Sequence, residues 1–357
     1  MDIEEFLDEW YSDSPYIKVH TSGSTGKPKE LSVEKSRMAA SARMTCGFLG
    51  LQQTGKALLC MPLDYIAGKM MVVRSIVSGM PLVCVKPSMH PLKYFCEHTD
   101  DTLCEVMTFS SGGICSRVSC PATDVSPDFQ FAAMVPSQVK ASLDCPEEAS
   151  VFRHISNMII GGGHIDAALE NRLQNMPNAI WSTYGMTETL SHIAMRRVNG
   201  EHASCWYTPM DGVRVSLTAE HTLVIDAPLL CPSQLVTNDI AEINSHGGFR
   251  ILGRKDNVIN SGGVKIQIEE VESAIRAMLP DEMAEHFAIT GCPDERFGEV
   301  VAMLTDCEYA VAVFSEALSA LPSYWKPKKI LYVSSLPQTI SGKPDRAAAR
   351  RIMSEKL

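Results

Sequence analysis

The chain lacks several things that would place it quickly. No apolar run approaches the roughly 20 residues a membrane-spanning helix needs, so no span is expected. A basic excess is missing too: 32 Lys and Arg face 42 Asp and Glu, for a net charge of −10, which speaks against nucleic-acid or anionic-membrane partners. The first residues, "MDIEEFLDEWYSDS", are acidic where a secretory leader would be basic and then apolar, so a cytoplasmic protein is expected. Twelve cysteines are scattered without a C-x-x-C pair, the closest being Cys115 and Cys120. That spacing suits reduced thiols better than a disulfide framework or a zinc site. Repeats and low-complexity tracts are absent as well. What remains is an ordinary globular composition, 45% hydrophobic and 21% charged, in a chain long enough for two or three domains.

Residues 20–31, "HTSGSTGKPKEL", stand out against that background. Hydroxyls, glycine-flanked backbone amides and lysine ammonium groups are all donors suited to anionic oxygen, so the stretch reads as a phosphate loop. It is not a Walker A loop, because Gly23 and Gly26 enclose only Ser24 and Thr25 where that loop has four intervening residues. No G-x-G-x-x-G fingerprint occurs either. The plain alternative is a solvated Ser/Thr/Gly loop. Residues 33–48 carry helix formers, so the loop is expected to feed a helix N-terminus.

Apolar segments at 56–61, 81–85, 129–135, 155–160 and 179–184 are strand candidates. Between the last two, Ile165, Ala168, Leu169, Leu173 and Met176 recur at helical spacing after a Gly-Gly-Gly turn. Alternating strands and helices imply a layered α/β domain. Short alternating strands over about 205–252 indicate a small β element. From about 257 a second α/β unit follows, with Ile268, Val271, Ile275, Met278 and Leu279 along one helix face. The polar "GRKDNVINSGG" between them is a plausible hinge.

Further motifs follow in order: "STYGMTETLSH" (182–192), "LVTNDIAEI" with Asp239, "GRKD" (253–256) and "LPQTISGKPDR" (336–346). Taken with the loop at 21–29, the set resembles the adenylate-forming superfamily of acyl-CoA synthetases. That resemblance implies a large N-terminal α/β domain, residues 1–255, with layered sheets, helices and a small β element. It also implies a small mobile C-terminal α+β domain, residues 256–357, bearing Lys343. The implied activity is an ATP-dependent acid–thiol ligase: a carboxylate attacks the α-phosphate of ATP, and the thiol of coenzyme A then displaces AMP.

By the same resemblance Thr21, Ser22, Gly23, Ser24, Thr25, Gly26 and Lys27 hold the β- and γ-phosphates. Glu188 binds magnesium, Thr187 contacts the α-phosphate, and Lys343 bridges the carboxylate and α-phosphate oxygens. Tyr184, on the Gly185 turn, lies against adenine, with Gly161, Gly162 and Gly163 as the opposite wall. Asp239 and Arg254 hold the ribose, Asp256 is the pivot, and Ser261, Gly262 and Gly263 face the site in the second step.

Three departures qualify the match. Only about twenty residues precede the phosphate loop, Asn238 replaces the glycine of T-G-D, and Tyr65 replaces the usual histidine that guards the acyl pocket. The stretches "MVPSQV", "IIGGGHID" and "YGMTETLSHIA" look most like the o-succinylbenzoate branch of menaquinone biosynthesis. A second carboxylate on the acid calls for a cation or several donors. Lys69, Arg74, Lys140, His164, Ser191 and His192 are the candidates, with Tyr65 at the entrance. Another aryl or medium-chain acid, a non-catalytic adenylate binder and a simple ATP hydrolase are the alternatives.

Overall fold

The computed structural model of the chain describes residues 1–20, 30–96, 102–110, 113–338 and 344–356. Residues 21–29, expected to be a phosphate loop, and Lys343 therefore lie outside the described residues.

Within the large sheet, Ala57–Leu59 pairs in parallel with Leu82–Cys84 on one side and Phe131–Met134 on the other. Asn157–Ile160 and Ala179–Gly185 continue the parallel run beyond Phe131–Met134. Successive residues of a strand point to opposite faces, and here both faces are covered. Leu58, Ala132, Met158 and Ile180 pack with helices Pro136–Asp144, Pro146–Arg153 and Ala167–Leu173. Ala57, Leu59, Phe131, Ala133 and Ile159 pack the other way, with helices Lys35–Leu49 and Ile66–Ser78. Antiparallel strands complete a nine-stranded sheet among the described residues: the hairpin Leu103–Ser110 and Gly113–Pro121 at one edge, His192–Arg197 and Thr208–Pro209 at the other.

The chain adds Leu82–Cys84 to one side of Ala57–Leu59 and later returns to add Phe131–Met134 to the other. Such a reversal is where open α/β sheets hold ligands, outside the carboxyl ends of the strands. A separate antiparallel pair, Tyr16–His20 with Glu30–Glu34, brings the two flanks of residues 21–29 opposite each other, His20 against Glu30. The segment after the loop is thus first a strand and only then the helix Lys35–Leu49, because the alternating "ELSVE" pairs with "YIKVH".

A four-stranded antiparallel sheet follows, Arg214–Leu217, Thr222–Asp226, Leu235–Ile243 and Phe249–Arg254. The last unit has strands Val258–Ser261, Val264–Gln267, Phe287–Asp294, Gly298–Thr305 and Lys329–Tyr332. Helices Ile268–Arg276 and Ala310–Ala320 cover one face and Arg346–Glu355 the other. Its two apolar clusters draw on residues from Ile259 onward, whereas the clusters of the large sheet and the four-stranded sheet end at Ile251.

Two further details depart from the sequence reading. The edge hairpin is new, since its second strand is exposed along most of its length and carries no clear alternation. The helix beginning at Ile268 ends at Arg276, leaving Met278 exposed rather than on an apolar face. All twelve cysteines are free thiols.

Candidate active site

The carboxyl ends of the parallel strands converge on one edge. Strand Asn157–Ile160 runs into Gly161, Gly162 and Gly163, with His164 exposed just beyond. Gly162 has φ +76°, a conformation side chains rarely adopt. The neighbouring strand Ala179–Gly185 ends in Tyr184 and Gly185, then turns through Thr187 and Glu188. Gly185 has a packing reason of its own: a Cβ there would lie 2.3 Å from the backbone oxygen of Ser191 and 2.5 Å from Cα of His192. Glu188 is exposed at the turn and Thr187 half-buried. Cys231 donates its thiol to the Glu188 carbonyl at 3.3 Å, which ties the turn to the four-stranded sheet's loops.

Tyr184 reaches across to that sheet. Its hydroxyl donates to Oδ2 of Asp239, and its ring meets Phe249 edge-on at 5.1 Å, with Tyr207 stacked on Phe249 behind it. Burial, and then the Asp239 carboxylate, push the Tyr184 pKa far up, so the phenol stays protonated as a donor. Asp239 and Arg254 are cross-strand partners, and Nη1 of Arg254 donates to Oδ1 of Asp239 at 3.2 Å. The other arm of the guanidinium, Nη2, donates to Asp256 at 2.9 Å.

A second cluster lies between the two helices and the strand His192–Arg197. Arg74 is 2% exposed. Its Nη2 donates to the Ser191 hydroxyl at 2.7 Å, while Nε is buried without a partner. Among the described residues no carboxylate pairs with it, and burial pulls its pKa down to about 10. His192 contacts Thr45 Oγ1 through Nε2 at 2.9 Å and Ser191 through Nδ1 at 3.4 Å. Burial, and then the Arg74 cation, hold its pKa well below 6.5, so the imidazole is neutral.

The model of the family described as "AMP-binding enzyme" matches residues 6–225. The chain belongs to that family. The adenylate-forming fold expected from the motifs is the fold found. Over 367 residues the chain is 24% identical to a 2-succinylbenzoate–CoA ligase of Listeria monocytogenes, covering 95% of this chain and 70% of that one. It is similar in structure to an AMP-forming acyl-CoA synthetase/AMP-acid ligase II-like protein from Dyadobacter fermentans, at 29% identity and a TM-score of 0.60, covering 98% of this chain and 93% of the other. A further likeness, in fold, is to the o-succinylbenzoate CoA synthetase of Bacillus subtilis in complex with ATP and magnesium, with 20% identity, a TM-score of 0.67, and coverage of 92% and 68%.

Within this AMP-binding enzyme the structure joins Tyr184, Asp239, Arg254 and Asp256 in one chain of contacts, and groups Arg74, Ser191 and His192 in another. It sets three candidates apart. Lys69 is buried, but its ammonium donates to the Lys18 carbonyl at 2.6 Å and so holds the strand that leads into residues 21–29. Lys140 is half-buried on the helix Pro136–Asp144, on the opposite face of the sheet. Tyr65 precedes the helix Ile66–Ser78 and is 38% exposed. Thr45, Cys231, Tyr207 and Phe249 are site neighbours that carry no sequence signal, since each arrives from another element. Among the described residues, no group of three or more His, Cys, Asp or Glu is assembled to hold a metal by itself.

Proposed function

We propose that the enzyme is an AMP-forming carboxylate–CoA ligase whose acid is 2-succinylbenzoate, converted to its CoA thioester by way of an acyl adenylate, a step of menaquinone biosynthesis. The observation that carries the substrate is Arg74. A guanidinium taken out of water without a counter-charge is costly, and Arg74 is buried, unpaired by any described carboxylate, and joined to Ser191 three residues past Glu188. A second carboxylate on the acid supplies the missing counter-charge and pairs bidentately with the planar fork. Neutral His192 beside it adds no second cation, so the subsite suits one carboxylate.

In the first half-reaction an oxygen of the other carboxylate attacks the α-phosphorus and pyrophosphate leaves. In the second, the thiol of coenzyme A attacks the acyl carbonyl and AMP leaves. We assign Tyr184 and Gly161 to Gly163 to the adenine, Asp239 and Arg254 to the ribose, Thr187 to the α-phosphate, and Thr21 to Lys27 with Lys343 to the phosphates and the reacting oxygens. Donors of this kind act by meeting charge that develops in the transition state. Glu188 fits a magnesium ion, because that metal commonly takes one carboxylate together with substrate phosphates and the Glu188 side chain is exposed at the turn. Bound there, magnesium would neutralise phosphate charge. Residues 1–255 would form the large domain and residues 256–357 the moving one, turning at Asp256.

The test is carboxylate-dependent exchange of labelled pyrophosphate into ATP, followed by detection of the CoA thioester, across a panel of acids. The expected result is activity with 2-succinylbenzoate and a large loss with the analogue lacking one carboxylate. Equal activity with monocarboxylic aryl or medium-chain acids would remove the substrate assignment and keep the mechanism. No exchange with any acid, despite ATP binding, would leave an adenylate binder.

A further inference from the structure

Two sets of apolar clusters, one ending at Ile251 and one starting at Ile259, are joined through residues 255–257. No hydrophobic cluster among the described residues spans this link, so turning about it is resisted chiefly by polar contacts. Two of those contacts meet on Asp256. Asn238 donates its Nδ2 to Asp256 Oδ2 at 3.2 Å, and Arg254 donates Nη2 to the same oxygen at 2.9 Å. Arg254 is shared, because its Nη1 holds Asp239 at 3.2 Å and Asp239 also accepts from Tyr184. Lys255 is tied back to Glu220 at 2.6 Å, and Gln267 donates to the Arg254 carbonyl at 2.9 Å.

We propose that Asn238 and Arg254 form a latch on Asp256 that couples occupancy of the nucleotide site to the turning of the small unit. The inference deepens the reading above and rests on it for the assignment of Asp239 and Arg254 to the ribose. Arg254 spans the site acid Asp239 and the link acid Asp256. A ribose that engages Asp239 and Arg254 draws the guanidinium from Asp256, and Asn238 is then the side-chain donor that still holds the carboxylate to the four-stranded sheet. A glycine at 238, as in the T-G-D pattern, supplies no such donor. Asn238 therefore sets how freely the link turns once a nucleotide is bound. Both bonds to Asp256 lie in exposed surroundings, where such contacts are modest. The expected effects are accordingly several-fold.

The experiment uses the full chain with Asn238→Ala and Asn238→Asp, the latter placing a second carboxylate against Asp256. Backbone hydrogen–deuterium exchange is followed over residues 255–261, with and without AMP. AMP is expected to speed exchange at the link in the wild type. Asn238→Ala is expected to speed it by about twofold to fivefold in the free protein and further with AMP, and Asn238→Asp by at least as much. In single-turnover assays the ratio of adenylate formation to thioester formation should shift by a similar factor, because the two steps use different orientations, while the KM for ATP stays within about twofold. Unchanged link exchange in both variants, or slower exchange on adding AMP to the wild type, would overturn the latch. So would equal changes in both half-reactions. If the wild type shows no carboxylate-dependent pyrophosphate exchange, the ligase reading falls, and the deuterium result still decides the latch.

Discussion

Replacing Arg74 with methionine should raise stability and lower activity together. The guanidinium is held at a pKa of about 10 against an ordinary 12.5, chiefly by burial. That depression corresponds to roughly 3 kcal/mol disfavouring the charged form, partly recovered through the 2.7 Å bond to Ser191. Methionine fills similar space along the same helix face without a charge, and replacing buried charge by apolar groups is often neutral or stabilising. The free variant is therefore expected to unfold in urea at an equal or higher midpoint, by up to about 3 kcal/mol of stability. With 2-succinylbenzoate, truncating one member of a buried charged pair costs about 2–5 kcal/mol, a fall in kcat/KM of roughly thirtyfold to a few thousandfold. The assay is pyrophosphate exchange against acid concentration, in which the KM for ATP should hold steady. A lower midpoint together with an unchanged dependence on the acid would refute the reasoning, since Arg74 would then be a packing element of the large sheet.

Four other outcomes can be checked. Lys343→Ala should suppress pyrophosphate exchange by at least about a hundredfold yet spare thioester formation from supplied acyl adenylate; equal losses in both steps would reject its assignment. Glu188→Ala should raise the half-saturating magnesium concentration at least about tenfold, the loss that even outer partners of a metal bring, and an unmoved magnesium titration would take it out of the metal site. His192 has its pKa held well below 6.5, so below that pH the unfolded chain binds a proton that the native one does not, and stability falls with pH. His192→Gln removes this term, and the stability advantage of the wild type over the variant should shrink by about 1 kcal/mol between pH 7 and pH 5.5 in urea titrations. Gly185→Ala forces a Cβ to within 2.3 Å of a backbone oxygen and should cost about 1–3 kcal/mol, seen as a lower urea midpoint; a melt like the wild type's would show that the strand edge yields.

Much of the large sheet is legible in the sequence because its strands are apolar on both faces and bounded by turn residues, as in "FQFAAMV" and "ISNMII". The hairpin Leu103–Ser110 and Gly113–Pro121 is not, since serines, cysteines and an arginine interrupt both faces and only the edge of an existing sheet orders them. The pair Tyr16–His20 and Glu30–Glu34 is hidden for a related reason: each strand is held by the other, across the loop. At the candidate site, ordered motifs single out Tyr184, Glu188 and Asp239 as candidates because the expected chemistry is carried within short stretches. The bond from Arg74 to Ser191 spans 117 residues and joins a helix face to an antiparallel strand. Nothing local to either residue announces it, so Arg74 stands in the sequence as one cation among several, and only burial separates it from Lys140.

The placing of Ala57–Leu59 between an earlier and a much later strand of the parallel run also dictates an order of events in synthesis. This three-residue strand has Leu82–Cys84 as one neighbour, but its other neighbour is Phe131–Met134. Until a ribosome has delivered Met134, that strand has an open edge, and the apolar faces of Lys35–Leu49 and Ile66–Ser78 lack Phe131 and Ala133, which belong to the same core. Non-local parallel pairing of this kind is slow and leaves sticky surface uncovered meanwhile. Truncations that stop before residue 134 should thus emerge as aggregating or chaperone-bound chains, whereas the unit that begins near Val258 assembles its sheet from strands made afterwards and does not have to wait for the earlier ones.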